Sequence, residues 1–193
     1  MNVAVYGGSF DPPHLGHVMV PTHLLLNDPT IDEIVIMPCF QQTGKNLAPF
    51  KDRHHMCEVA FGWLPRTQVS DLEYRLGGES LTLRTMRALK TEHPNWNLRF
   101  VVGSDLLDSM PSWDGYEELC AIAPPLPIGR AGISPVRPDQ PTPISPIVSS
   151  TIVREALARR DYETAGRYVP RLVLHHIGAL GLYRDVAGVP TTT

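Results

Sequence analysis

The chain has 193 residues, of which 42% are hydrophobic and 19% charged, with a formal net charge of -3. That length suffices for one domain with a sizeable core, and so weak a net field argues against nucleic acid or an anionic membrane surface as the main partner. The three cysteines (Cys39, Cys57, Cys120) are odd in number, widely spaced and free of any CxxC pair, which argues against a disulfide framework or zinc ribbon and fits a reducing cytoplasm. No apolar run approaches the ~20 residues of a membrane helix, and Met1-Asn2 leads straight into a strand without a basic signal region, so a cytoplasmic protein is expected.

Short β-branched runs recur along the chain as candidate strands: "VAVY" (3–6), "EIVIMP" (33–38), "TQVSDL" (67–72) and "LRFVVG" (98–103). Helical spacing fills the gaps, over roughly 15–27, 52–63, 81–92 and 114–121. Strands alternating with helices predict βαβ units, and right-handed crossovers then give an α/β fold: a doubly wound, Rossmann-like parallel sheet with helices on both faces. The proline-rich stretch 123–146 excludes a regular helix and leaves room only for an edge strand over Pro127–Arg130. Helix resumes from about residue 149, with Ser149 or Ser150 as N-cap. His175 and His176 are placed near a terminal strand and, like His54 and His55, read as structural. A single domain over 1–186 with a disordered tail at 187–193 is expected.

The loop after strand one reads "GGSFDPPHLGH". In an open α/β sheet, ligands bind beyond the carboxyl ends of the strands, near the switch in strand order. Gly7 and Gly8 let backbone N–H groups approach an anion, Ser9 adds a hydroxyl, and the following helix turns its positive end to the same place. The pattern is neither GxxxxGK[ST] nor GxGxxG. Its anion-binding side chains would be His14 and His17, an i, i+3 pair on one side of the first helical turn, with Gly16 keeping that face open. A metal is the alternative for two such histidines, but no third ligand stands at suitable spacing, and none is assigned.

The segment "SSTIVR" (149–154) opens another helix and supplies a second anion site: the hydroxyls of Ser149, Ser150 and Thr151, helix N–H groups, and Arg154 one turn in. Read alone it is ordinary capping; read with the first site, the two form jaws around one polyphosphate.

With these pieces the sequence resembles the HxGH nucleotidyltransferases, and within them the nicotinate/nicotinamide mononucleotide adenylyltransferases. "GGSFDPPHLGH", "MP" at 37–38 followed by Lys45, "DRHHM" (52–56), "SLTLRT" (80–85), "FVVGSDLLDSMPSW" (100–113), "GRAG" (129–132) and "SSTIVR" follow in the family's order. The resemblance implies adenylyl transfer from ATP to a pyridine mononucleotide in NAD biosynthesis, without a covalent intermediate, with Mg²⁺ carried on ATP. It assigns Gly8, Ser9 and Phe10 to backbone contacts with ATP, and His14, His17 and Arg154 to its phosphates. It further assigns Gly103 and Asp105 to the ATP side. Asp105 reads equally as a ribose acceptor or as the cap of a helix over Leu106–Met110. On the acceptor side it assigns Trp113 to stacking on the pyridine, Thr82 and Thr85 to the pyridine substituent, and Lys45 to the mononucleotide phosphate. Trp113 as plain packing and Lys45 as plain surface remain open.

The partners implied are ATP and a pyridine mononucleotide, with no nucleic acid or membrane; a homo-oligomer is left open. Nicotinate mononucleotide is the acceptor expected from chain length and motif order. Gly44 stands where bacterial nicotinate enzymes often carry histidine, and Leu81 where they commonly carry tyrosine, which keeps the amide substrate in play. Another phosphorylated acceptor such as phosphopantetheine, and a non-catalytic nucleotide sensor, are further alternatives.

Overall fold

The computed structural model describes residues 1–129 and 147–184. Five parallel strands form one sheet: β1 (Asn2–Gly8), β2 (Glu33–Pro38), β3 (Thr67–Val69), β4 (Asn97–Gly103) and β5 (Pro125–Ile128), in the order β3-β2-β1-β4-β5. The helices are α1 (Leu15–Asn27), α2 (Phe50–Phe61), α3 (Leu72–Leu76), α4 (Thr82–Glu92), α5 (Tyr116–Ile122), α6 (Ser150–Ala158), α7 (Tyr162–Gly166) and α8 (Arg171–Leu180).

A sheet covered on both faces needs strands that are apolar on every residue rather than on alternate ones. β1 meets this with Val3, Ala4 and Val5, all buried. Alternation then divides the core. Ala4, Ile34, Ile36 and Val101 face the layer holding α1, α2, α6 and α8, whereas Val3, Val5, Val35, Met37 and Val102 face α4 and α5. Fully buried side chains such as Ile34 and Ile36 each stabilise the fold by roughly 1.5–3 kcal/mol. At the edge, β5 carries Pro125 and Pro127, which lack the N–H that a further neighbouring strand would need. β2 and β4 flank β1 on opposite sides, so the strand order reverses at β1, and the chain leaves the sheet there through Gly8 and Gly103. That is the crevice where this class of sheet binds ligands.

The doubly wound sheet matches the expectation from the sequence, and α1 matches to the residue. Four local readings change. The third strand stops at Val69, because Asp71 starts α3, a helix that the run "TQVSDL" conceals. The edge strand spans Pro125–Ile128 rather than 127–130; Arg130, like the rest of the proline-rich stretch to 146 and the tail 187–193, lies outside the described residues. His175 and His176 sit in α8, not near a strand. The chain after 149 forms separate helices, interrupted where Arg160 adopts φ +59°.

Candidate active site

β1 delivers its last residue into a tightly packed turn. Phe10 takes φ +46° and buries its ring to 1% exposure. The ring meets Tyr6, His17 and Phe61 edge-on at 5.4, 5.0 and 5.6 Å between centroids. A Cβ on Gly8 would lie 3.0 Å from that ring, so glycine here seats Phe10. Gly16 has a similar duty: its Cβ would lie 3.1 Å from the His14 ring and 3.0 Å from Val148. The sequence reading gave Gly16 an open face; in the structure that space seats the His14 ring.

His14 is the N-cap of α1 and His17 stands three residues on. Their rings stack at 3.7 Å between centroids, 23° from parallel. The backbone N–H of His14 donates to Nδ1 of His17 at 3.2 Å. That bond requires an unprotonated Nδ1, so in neutral His17 the proton sits on Nε2, which is thereby made a hydrogen-bond donor. The Leu15 N–H donates to the Tyr168 carbonyl at 2.7 Å, so this first-turn donor, expected to face an anion, instead ties α1 to the segment before α8.

The second predicted jaw meets the first. Arg154 Nη1 donates to the Asp11 carbonyl at 2.7 Å, and Ser150 Oγ donates to the Pro12 carbonyl at 3.0 Å, across 143 and 138 residues of sequence. Ser149 caps α6 by accepting from the Ile152 N–H at 3.3 Å, and Thr151 Oγ1 accepts from Arg154 Nη2 at 3.3 Å. Within the glycine loop, Ser9 Oγ donates to Gln42 Oε1 at 3.0 Å. Gly103 ends β4, and Asp105 is an exposed residue inside the 3-10 turn Ser104–Leu106, which it does not cap; Gly103 holds the cap position.

The acceptor-side residues are more dispersed. Lys45 lies on an exposed loop and lines a cleft of about 420 Å³ with Phe40, Gln42, Phe50, Arg53 and Glu79. Thr82, Thr85 and Trp113 do not line that cleft. Thr82 is the first residue of α4, and the buried Thr85 directs its hydroxyl to Glu73 of α3. Trp113 is half-buried and packs near Phe100, 6.3 Å between centroids. A short parallel bridge, Gln41 to Glu79, joins the Lys45 loop to the chain entering α4, reinforced where Ser80 Oγ accepts from the Phe40 N–H at 2.8 Å.

The cytidylyltransferase-like family model matches residues 5–156. A probable nicotinate-nucleotide adenylyltransferase of Anaeromyxobacter sp. (strain K) is 36% identical over 186 residues, covering 94% of this chain and 96% of the relative. The chain belongs to the nicotinate-nucleotide adenylyltransferase family. The Geobacillus kaustophilus (strain HTA426) member is 30% identical over 196 residues, covering 97% of this chain and 88% of its own. Among solved structures, Plasmodium falciparum nicotinic acid mononucleotide adenylyltransferase complexed with NaAD superposes with a TM-score of 0.73 at 25% identity, covering 95% of this chain and 97% of that one.

Three residues to which the motifs assign no role matter in this family member, two of them, Asp11 and Arg53, inside the motifs themselves. Asp11, 2% exposed, accepts from the Tyr183 hydroxyl at 2.7 Å and the Ala48 N–H at 3.2 Å, with Arg154 Nη1 4.0 Å from its other oxygen. Tyr183 comes from beyond α8, and burial together with the Asp11 carboxylate pushes its hydroxyl well above the ordinary tyrosine range. Arg53 is buried against the same loop. A signal existed for Arg53 alone: it stands in the apolar register of α2 with Met56, Cys57, Ala60 and Phe61. Asp11 carries only the weak mark of an acid inside a Gly/Pro loop, and nothing local marks Tyr183. The thiols of Cys39 and Cys57 are pushed up by burial, which keeps them protonated and poorly nucleophilic at neutral pH.

Proposed function

We propose that this protein transfers the adenylyl group of ATP to nicotinate mononucleotide, giving deamido-NAD and pyrophosphate in NAD biosynthesis. The observation that carries the reading is the meeting of the two anion sites: Arg154 and Ser150 of α6 bond to the loop that presents His14 and His17. The names of the relatives, and the NaAD in the Plasmodium falciparum complex, support nicotinate as the pyridine.

In this reaction a phosphate oxygen of the mononucleotide attacks the α-phosphorus of ATP, and the bond from that phosphorus to the bridging oxygen of pyrophosphate breaks. No side chain becomes covalently attached, so the protein's work is alignment and charge stabilisation. His17 would donate from Nε2 to a phosphate oxygen, its ring aimed by the His14 N–H. His14 would back it from the stacked position, and Arg154 would exchange its Asp11 carbonyl bond for the triphosphate from the opposite side. Each donor grows stronger as negative charge collects on the leaving pyrophosphate. Asp11, the acid of this loop, is turned inward to Tyr183 and Ala48, so the cradle offers a cation little of its own; MgATP would be the substrate, its ion held by phosphate oxygens.

The test is pyrophosphate release from MgATP with nicotinate and with nicotinamide mononucleotide. The expected result is turnover with a higher kcat/KM for the acid. No turnover with the acid would overturn the reading.

A further inference from the structure

Arg53, at 1% exposure, is the most buried charged side chain among the described residues. It stands where the apolar stripe of α2 calls for a leucine or methionine. Removing an unpaired cation from water costs several kcal/mol, so its retention there requires a reason. Among the described residues no carboxylate pairs with it. All three guanidinium nitrogens donate instead to backbone carbonyls: Nε to Ala48 at 2.8 Å, Nη1 to Ser9 at 2.8 Å and Nη2 to Phe40 at 3.1 Å.

These acceptors belong to separate pieces of the site. Ser9 is in the phosphate loop, while Phe40 and Ala48 bracket the exposed loop that carries Lys45. Two weaker ties run alongside, from Ser9 Oγ to Gln42 and from the Ala48 N–H to Asp11. Neutral carbonyls satisfy the fork's directions without cancelling its charge, and Arg53 is among the residues that line the cleft beside Lys45.

We propose that Arg53 is a positioning residue for the acceptor. It fixes the Lys45 loop against the phosphate loop, and its charge favours the anionic end of the mononucleotide in the cleft that the Lys45 loop forms with Phe50, Arg53 and Glu79. The inference rests on the adenylyl-transfer reading. A lysine at this position would keep the charge but not the three-way fork; a glutamine would keep one donor group and no charge.

The experiment compares the full-length wild type with Arg53→Lys and Arg53→Gln. It measures KM for nicotinate mononucleotide, binding of MgATP by calorimetry, and folding by thermal melting. The expected result is a KM for the mononucleotide raised roughly tenfold in Arg53→Gln and less in Arg53→Lys, with MgATP affinity held within about twofold. An unchanged KM in a folded Arg53→Gln protein would overturn the proposal. So would an equal loss of MgATP affinity, or failure of both variants to fold, since either assigns Arg53 to the fold alone. A wild type without turnover would overturn the functional reading, and this inference with it.

Discussion

The two halves of the candidate site are built differently. On the ATP side, Phe10, Asp11 and His14 are nearly inaccessible, and their neighbours come from α2, α6 and the chain beyond α8. On the acceptor side, residues 41–46 are exposed, and Gly44 adopts φ +77° with nothing within 4 Å of where a Cβ would stand. The candidate phosphate cradle is over-determined: remote segments of the chain hold its parts in place. The candidate acceptor loop is held at its ends by Arg53 and by the Glu79–Ser80 bridge, and between them by exposed side-chain bonds from Ser9 to Gln42 and from Thr43 to Glu79. The contrast follows the chemistry. Transfer at phosphorus depends on donors fixed before the reaction, whereas the choice of acceptor depends on a few contacts that a surface loop supplies.

Substitutions separate the halves most sharply at the cradle. His17→Ala removes the aimed Nε2 donor, and we expect kcat to fall about 10²–10³-fold, with a much smaller change in KM for ATP. Steady-state pyrophosphate release measures this; loss of ATP affinity at unchanged kcat would place His17 in binding alone. Asp11→Ala strips the acceptor from Tyr183 and Ala48 and removes the carboxylate beside Arg154, which keeps its bond to the residue-11 carbonyl. Leaving buried donors without partners costs roughly 2–4 kcal/mol, read as a lower midpoint in urea.

Tyr183→Phe is milder, about 1 kcal/mol, and carries a pH signature. The folded-state pKa of Tyr183 lies above its unfolded value of about 10, so its contribution is complete below that pH and is lost as pH rises beyond it. Wild-type stability should therefore fall more steeply than that of the variant above pH ~10; parallel curves would remove the Asp11–Tyr183 latch from the account. Gly44→Ala, the smallest change, strains a left-handed residue by about 1 kcal/mol in the open loop. We expect a raised KM for the mononucleotide, an unchanged affinity for MgATP and a Tm lowered by only about 2–4 °C. An equal effect on both substrates would erase the distinction between the halves.

The same division governs what the sequence discloses. The two segments that meet at the candidate cradle are legible because each is a contiguous motif, His14 to His17 and Ser149 to Arg154, at the start of a helix. The sheet is legible because buried parallel strands are apolar throughout. Asp11 and Tyr183 are not legible because their contacts span 143 and 172 residues, and Arg53, although its place in the apolar register of α2 is visible, has a partner 44 residues away that no local pattern names. Thr85 shows the opposite difficulty. Its place in "SLTLRT" points to a ligand, yet its hydroxyl meets a buried glutamate of α3, a helix that begins where the strand-like run ends.

In the proposed reaction, the histidines of α1 and the guanidinium of α6 act on one nucleotide. A crystal structure of the protein with a non-hydrolysable MgATP analogue tests that directly. We expect His17 Nε2 and an Arg154 nitrogen both within about 3 Å of phosphate oxygens of the same molecule. Density in which only one of them reaches the triphosphate, with the other still bound to the protein, would contradict it.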